Sequence, residues 1–249
     1  ACAGALADYA CASEGTVAGK PDNLTFEQAA SLPIAGVTAL QSLCGRANVK
    51  PGHKVLINGG AAGVGTFAVQ IAKSLGAQVT GVCSTRNVER VRSLGADRVV
   101  DYTREEFTRG QERYDSILHC VGNRSFSEWR RVLEPHGIYL PIASPKEFFP
   151  FLGSMLRSFV RSWFVSQKFR VILARLKAEG VIRLGELACS GRCTPVIDRT
   201  YPLSEAREAI RYLGEGHARG KVVVTVPERQ ATHLVTTNRS VLENDPETN

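Results

Sequence analysis

Several patterns that would assign a protein to a class at once are missing from these 249 residues. The seven cysteines form no C-x-x-C pair and are odd in number, which argues against a disulfide framework and favours reduced thiols in a cytoplasmic setting. Cys189 and Cys193 lack a second pair of thiols or a nearby His, so they make a poor zinc site. The longest aromatic-rich run, residues 148–165, is interrupted by a glycine and two arginines, which excludes a membrane span.

No large block of like charge is present either. The net charge is +7, but 31 basic residues alternate with 24 acidic ones along the chain. One basic group lies partly on a helical stretch, where a solvated face is the common explanation, and comprises Arg157, Arg161, Lys168, Arg170, Arg175 and Lys177. We therefore expect neither a nucleic-acid nor a membrane partner. A homodimer is compatible with the sequence.

Catalytic arrangements of familiar kinds are missing as well. No Ser-His-Asp set and no pair of carboxylates stands out, and the catalytic residues stay unassigned. His119 ends a predicted core strand, where a structural role is commoner than acid–base work. Cys120 follows it and is expected to be a buried neutral thiol rather than a reactive one.

What the sequence does contain is a glycine-rich turn between a strand and a helix. Residues 53–58 are apolar and strand-like, and residues 66–75 have helical periodicity. Gly60, Gly63 and Gly65 lack a Cβ, so the backbone can turn sharply and approach a phosphate closely. The N–H groups of the following helical turn then face the anion. The spacing is G-x-x-G-x-G, and no Lys-Ser or Lys-Thr follows it, which excludes a Walker loop. The turn predicts a dinucleotide pyrophosphate site.

The residues after the next strand indicate which dinucleotide binds. Residues 78–83 form that predicted strand, and Ser84, Thr85 and Arg86 follow it with no acid until Glu89. A carboxylate would repel a 2′-phosphate, whereas hydroxyls and a guanidinium would hydrogen-bond it. One such bond contributes ~1.5–3 kcal/mol, or a preference of about tenfold to more than a hundredfold. The site is predicted to take NADP(H), unless Arg86 is simply a solvated cation at a helix start.

Strand-like and helix-like segments alternate further along the chain. Strands are predicted at 98–101, 115–120 and 137–141, with helices at 87–94 and 125–133. A sixth strand is assigned to 158–165, and residues 167–179 place Phe169, Ile172, Leu173 and Leu176 on one helical face. This alternation predicts an α/β fold with a doubly wound parallel (Rossmann) sheet. Ligands of such sheets bind beyond the carboxyl ends of the strands, where residues 59–65, 84–86, 102, 121–122 and 142–143 converge.

The two ends of the chain differ from this pattern. Residues 25–32 predict a short capped helix, residues 204–213 a helix with Ser204 as its N-cap, and residues 221–226 a final strand. We expect these flanks to meet as a small β-rich region. Residues 227–249 are polar and aperiodic and are predicted to form a mobile tail.

Taken together, the stretch from about Gly4 to Val226 resembles the medium-chain dehydrogenase/reductase superfamily, and within it the quinone oxidoreductase-like, zinc-free, NADPH-dependent branch. Several separate motifs carry the resemblance in the right order, namely residues 4–9, 32–40, 59–65, 83–87, 94–97, 101–102, 195–198 and 218–223.

The resemblance implies roles for individual residues. The turn would contact the pyrophosphate, the segment after the second strand the 2′-phosphate, Tyr102 the adenine side, and Thr38 with residues 121–122 the ribose–nicotinamide half. Tyr102 could equally be an ordinary interfacial aromatic, and Thr38 an ordinary helix residue. The full cofactor-binding set is Thr38, Ala61, Ala62, Gly63, Val64, Gly65, Ser84, Thr85, Arg86, Tyr102, Val121, Gly122 and Ile142.

The chain departs from the family pattern in two ways. Zinc-dependent members carry a cysteine ligand where this chain has residues 33–36, Pro-Ile-Ala-Gly, none of which binds Zn²⁺, so no metal site is expected. The family also begins with most of a GroES-like barrel, of which this chain shows only the last part, as in an N-terminally truncated member. The expected organisation is a barrel remnant at 1–32, the NADP(H)-binding Rossmann domain at 33–185, a return segment to the barrel at 186–226 and the tail at 227–249.

The expected activity is hydride transfer from NADPH to a conjugated carbonyl such as a quinone or an enone, with a small molecule as substrate. The cofactor carries the chemistry, and the protein orients it and excludes water. Two alternatives stay open. One is enoyl-thioester reduction or an alcohol dehydrogenase-like activity, and the other is a truncated chain that binds NADPH without catalysis.

Overall fold

The computed structural model of the chain describes residues 6–7, 10–121, 124, 126–142, 167–172, 174–216 and 218–226. A six-stranded parallel sheet lies at its centre, in the order β3-β2-β1-β4-β5-β6. Its strands are β1 Lys54–Asn58, β2 Gln78–Cys83, β3 Arg98–Asp101, β4 Tyr114–His119, β5 Leu133–Pro141 and β6 Lys168–Phe169. The order reverses between β1 and β4, which confirms the doubly wound arrangement.

Seven α-helices accompany the strands in the described part of the chain. They are α1 Phe26–Ser31, α2 Pro33–Leu40, α3 Gly63–Ser74, α4 Val88–Ser93, α5 Phe126–Arg131, α6 Ala178–Cys189 and α7 Ala206–Gly214. A π-helical segment, Gln41–Arg46, continues α2. None of the described helices is both long enough and apolar enough to cross a membrane.

Alternate residues of the central strands enter two different cores. Leu56 and Ile117 are fully buried on one face, together with Trp129 of α5. Their neighbours Ile57 and Leu118 are fully buried on the other face, with residues of α2, α3 and α4. Since burying one such side chain contributes ~1.5–3 kcal/mol, two-sided burial explains why these strands are continuous apolar runs.

The stretch after β5 differs from the sequence prediction. Residues 168–169 pair with β5 as a strand, the described residues 170–172 and 174–177 form no regular element, and the helix begins only at Ala178. The helix predicted at 167–179 is therefore wrong. Its apolar spacing reflects separate contacts, because Phe169 packs 5.5 Å from Tyr139 across the sheet and Ile172 is buried in the core of the other face. Leu173 and the strand predicted at 158–165 lie outside the described residues.

Of the two N-caps predicted from the sequence, the one at the start of α1 is confirmed and the one at the start of α7 is wrong. Thr25 Oγ1 accepts from the Gln28 backbone N–H at 3.2 Å, and Gln28 Oε1 accepts from Thr25 N–H at 2.9 Å, so α1 has a capping box. Ser204 is not an N-cap. It lies within a 3-10 turn, Leu203–Glu205, and α7 starts after Glu205 without a side-chain cap.

The C-terminal strands form a separate small sheet. β7 Ile197–Pro202 and β8 Lys221–Thr225 pair in parallel, and α1 contacts both of them. The two flanks of the chain therefore meet in space as expected. The predicted boundary between residues 185 and 186 falls inside α6, and the division into four segments stays a prediction. Residues 227–249 lie outside the described residues.

Candidate functional site

The turn between β1 and α3 is the most tightly constrained piece of backbone at the carboxyl edge of the sheet. Gly59 has a φ of 82°, a left-handed conformation that favours glycine. A Cβ built on Gly65 would lie 2.0 Å from the Gly59 carbonyl oxygen, so no side chain can occupy this position. This close approach allows α3 to begin directly above the turn.

The amino end of α3 has free donors. The helix starts at Gly63, and its N-cap, Ala62, has no side chain that could accept a hydrogen bond. Thr66 is the first residue of α3 whose N–H is bonded to a backbone carbonyl, that of Ala62 at 2.9 Å. The three preceding N–H groups, together with the helix dipole, form a site that attracts an anion.

Lys221 lies at the same place, although it belongs to β8 at the far end of the chain. A Cβ built on Gly63 would lie 3.3 Å from Lys221 Cδ and 4.0 Å from its Nζ. Within the described ranges, the Lys221 ammonium has no side-chain hydrogen bond or ion pair. Burial lowers the pKa of Lys221 below its usual range. A half-buried cation and a positive helix end thus converge, an arrangement that is unfavourable until an anion lies between them.

Sequence reasoning did not assign a role to Lys221. The motif at residues 218–223 supported the family resemblance, but its lysine lies far along the chain from the turn. The available signal was a basic residue that opens an apolar strand, and burial at such a position is costly for a lysine without a partner.

The residues predicted to bind the 2′-phosphate follow β2 in a short 3-10 turn, Thr85–Asn87. The Ser84 hydroxyl accepts a hydrogen bond from Asn87 Nδ2 at 3.2 Å. Arg86 is exposed and makes no side-chain hydrogen bond or ion pair to any residue described. Its guanidinium is therefore available for a ligand, which fits both the predicted role and a solvated cation.

An acid that sequence reasoning did not place in the site lies beside this turn. Asp101 ends β3 and pairs in register with Cys83, the last residue of β2. Its carboxylate accepts a hydrogen bond from the Thr85 hydroxyl, and this bond, with those from Thr103, lowers the pKa of Asp101. Only the parallel register brings this acid to the turn, so the local sequence around Ser84 could not reveal it.

The remaining predicted residues lie around the same edge. Tyr102 is exposed, and its N–H donates to the Cys83 carbonyl at 3.1 Å. The Val121 side chain lies 3.0 Å from where a Cβ on Gly59 would be, and its carbonyl accepts from the Asn58 side chain. Ile142 follows β5 and donates its N–H to the His119 carbonyl at 2.9 Å. Gly122 lies outside the described residues.

Thr38 is a predicted residue whose side chain is poorly available to a ligand. It is only 6% exposed, and its hydroxyl donates to the Ile34 carbonyl of its own helix at 2.6 Å. This geometry fits the alternative of an ordinary helix residue. Its role at the ribose–nicotinamide half stays a prediction.

The His119–Cys120 pair has structural contacts. His119 is hydrogen-bonded to the Tyr139 hydroxyl and packs 5.0 Å from the Trp129 ring. Burial raises the pKa of the Cys120 thiol to about 12. The side chain is partly buried, and the raised pKa keeps the thiol neutral at physiological pH, as predicted.

The segment 33–36, where zinc-dependent relatives would carry a cysteine, forms the first turn of α2. A Cβ built on Gly36 would lie 2.8 Å from Leu184 Cδ1 of α6, so this position is filled by helix packing. Among the described residues, no group of three or more His, Cys, Asp or Glu side chains is arranged to hold a metal ion.

Comparison with known proteins gives consistent matches. The zinc-binding dehydrogenase family matches residues 94–224. A chloroplast envelope quinone oxidoreductase homolog of Arabidopsis thaliana is 36% identical over 231 residues, covering 89% of this chain and 68% of that protein. An NADPH-dependent chloroplastic alkenal/one oxidoreductase of the same plant is 31% identical over 230 residues, covering 89% of this chain and 53% of that protein.

The fold comparison agrees. The solved structure of the quinone oxidoreductase from Coxiella burnetii superposes with a TM-score of 0.77 at 32% identity, covering 88% of this chain and 66% of that one. The chain thus spans between about half and two thirds of the length of these relatives. From these matches and the glycine turn of a doubly wound sheet, the chain belongs to the medium-chain dehydrogenase/reductase superfamily, in its quinone oxidoreductase-like branch.

Proposed function

We propose that this chain binds NADPH across the carboxyl edge of its central sheet and, in the whole protein, passes a hydride to a conjugated carbonyl such as a quinone or an enone. The names of the relatives support a nicotinamide cofactor and acceptors of this class. The choice of NADPH over NADH rests on the residues after β2.

The convergence of positive charge at the start of α3 carries the proposal. The helix end and Lys221 face the same volume, and a pyrophosphate would neutralise both. A helix end contributes ~0.3–1 kcal/mol to an anion at an exposed site and up to ~2 kcal/mol when partly buried. A charge-assisted hydrogen bond from a lysine adds ~1.5–3 kcal/mol. Gly65 allows the backbone to approach the pyrophosphate closely. Because it has no Cβ, its backbone can lie in contact with that of Gly59.

The 2′-phosphate would bind at the turn after β2. Arg86 supplies an unpaired guanidinium and Ser84 a hydroxyl, and both donate well to phosphate oxygens. Tyr102 lies beside them at the end of β3 and can cover the adenine. These positions follow the general rule that ligands of doubly wound sheets bind where the strand order reverses.

The protein's own contribution to the reaction is positioning. Bound NADPH supplies the hydride and therefore the redox chemistry. Val121 packs on the turn at Gly59 and forms an apolar wall beside the cofactor path, which excludes water from the reacting atoms. We further propose that the activity is independent of zinc, since none of residues 33–36, Pro-Ile-Ala-Gly, has a side chain that can bind Zn²⁺.

Direct titration tests the proposal. The protein is titrated with NADPH and with NADH while the fluorescence of the reduced nicotinamide is followed. NADPH oxidation is then measured with an enone, a quinone and a crotonyl thioester, with and without a chelator of zinc. We expect NADPH to bind at least tenfold more tightly than NADH and the first two acceptors to be reduced in the presence of the chelator. Binding without turnover of any acceptor would leave a cofactor-binding chain and refute enzymatic activity of this chain by itself.

A further inference from the structure

The acid next to the 2′-phosphate turn suggests how cofactor choice is determined, an inference that rests on the function proposed above. Because Cys83 and Asp101 are register partners at the ends of adjacent strands, the Asp101 carboxylate lies on the same edge as residues 84–86. An acid at this edge is what NAD-binding sheets use to accept the ribose hydroxyls. The chain therefore carries an NAD-type group, but on the neighbouring strand.

Both oxygens of this carboxylate already have protein donors. Thr103 donates to Oδ1 twice, through its N–H at 3.0 Å and its hydroxyl at 2.7 Å. The Thr85 hydroxyl donates to Oδ2. The Asp101 side chain is only 13% exposed, and the guanidinium of Arg104 lies 3.6 Å from Oδ2. The carboxylate is thus held in place by four contacts.

Of these donors, Thr85 is the one that lies in the cofactor turn. A threonine hydroxyl has one proton to donate, and that of Thr85 is committed to Asp101 rather than to a phosphate. If this bond were absent, Oδ2 would have one more lone pair open to the 2′-hydroxyl of NADH, and the less neutralised carboxylate would repel the 2′-phosphate of NADPH more strongly. The hydrogen bond between Thr85 and Asp101 therefore affects the 2′ position of the ribose, which is where NADH and NADPH differ.

We propose that Thr85 is a selectivity-determining positioning residue, which disfavours NADH by occupying the carboxylate oxygen of Asp101 that would otherwise bind the ribose. Thr85 acts through Asp101 and not by touching the phosphate. This reverses the role that the sequence suggested for Thr85, while Ser84 and Arg86 keep theirs.

The test measures dissociation constants for NADPH and NADH, and for the fragments adenosine 2′,5′-bisphosphate and AMP, in a set of variants. Thr85→Val removes the donor at nearly constant volume. We expect it to tighten NADH and AMP, to weaken NADPH and the bisphosphate, and to lower the NADPH preference by about tenfold. Thr85→Ser keeps the hydroxyl and should have the same preference for NADPH over NADH as the parent protein.

The double variant Thr85→Val with Asp101→Asn tests whether Thr85 acts on cofactor preference through Asp101. Without the carboxylate, the gain in NADH and AMP affinity should disappear. Thr16→Val is the matched control, because among the described residues the Thr16 hydroxyl donates to the nearby Ser13 carbonyl and to no residue of the cofactor turn. Thermal unfolding of each variant separates a change in binding from a loss of fold.

Two results would overturn the proposal. One is an unchanged cofactor preference in Thr85→Val, and the other is the same gain in NADH affinity when Asp101 is replaced as well. Failure of the parent protein to bind either dinucleotide would instead refute the proposed function, so the two failures can be told apart.

Discussion

Replacing Lys221 by methionine tests the anion site most directly. Methionine keeps the apolar stem against Gly63 and β8 but removes the charge. Because the pyrophosphate is common to both cofactors, the loss of one charge-assisted contact of ~1.5–3 kcal/mol should weaken NADPH and NADH equally, by about 10-fold to 150-fold. Lys221→Arg should retain most of the affinity. Fluorescence titration of both cofactors measures these changes.

The same substitution should have the opposite effect on the protein without cofactor. Burial lowers the pKa of Lys221 in the folded state, so folding disfavours the charged form. This cost is fully present below the lowered pKa and disappears as the pH rises through it toward the ordinary value of about 10.4 for lysine. Lys221→Met should therefore raise the melting temperature at neutral pH, and the difference from the parent protein should shrink at alkaline pH.

Comparing cofactor affinity with melting temperature separates a binding role of Lys221 from a structural one. A variant that loses affinity for NADPH but keeps that for NADH would contradict the assignment of Lys221 to the pyrophosphate. A lower melting temperature at neutral pH would contradict the argument that the ammonium has no counter-ion among the residues that the structure describes. Lys50→Met is a suitable control, since Lys50 is exposed in the loop before β1.

Three further predictions concern single residues. Arg86→Ala should weaken NADPH by about tenfold to more than a hundredfold and leave NADH unchanged, and equal losses for both cofactors in a titration would refute the 2′-phosphate assignment. Gly65→Ala should lower the melting temperature by several degrees and abolish cofactor binding, because its Cβ would lie 2.0 Å from the Gly59 carbonyl oxygen and such overpacking costs ~1–3 kcal/mol or more. Cys120 should react with iodoacetamide far more slowly than the exposed Cys11, since its pKa of about 12 leaves about one thiolate in 10⁵ at neutral pH. Peptide mapping after timed labelling measures this, and comparable rates would contradict the raised pKa of Cys120.

The parts of the fold that could be predicted from sequence are those dictated by neighbouring residues. The strand at residues 78–83 was predicted with its observed bounds. The capping box at Thr25 needs only Gln28, three residues away. The glycine turn could also be predicted, because a residue without a Cβ is required by the local conformation of the backbone.

The parts that could not be predicted depend on contacts between distant segments. Phe169 and Ile172 share helical spacing, yet one packs across the sheet and the other enters the opposite core, so tertiary contacts override the periodicity. Asp101 reaches Thr85 only through the pairing of β2 with β3. Lys221 reaches Gly63 only after β8 docks at the end of α3. Register and docking are properties of the whole fold, and a single sequence does not encode them in any short pattern.

The small β7–β8 sheet gives cofactor binding a consequence for the persistence of the chain in a cell. An isolated pair of strands is marginally stable, and here it carries the lysine that faces the anion site. A ligand that binds only when β8 is docked stabilises the docked state by RT ln(1 + [L]/Kd), which is ~2.7 kcal/mol at a hundredfold excess over Kd. The cellular level of the reduced dinucleotide would then set how often the C-terminal strand opens to a protease, and with it the lifetime of the protein.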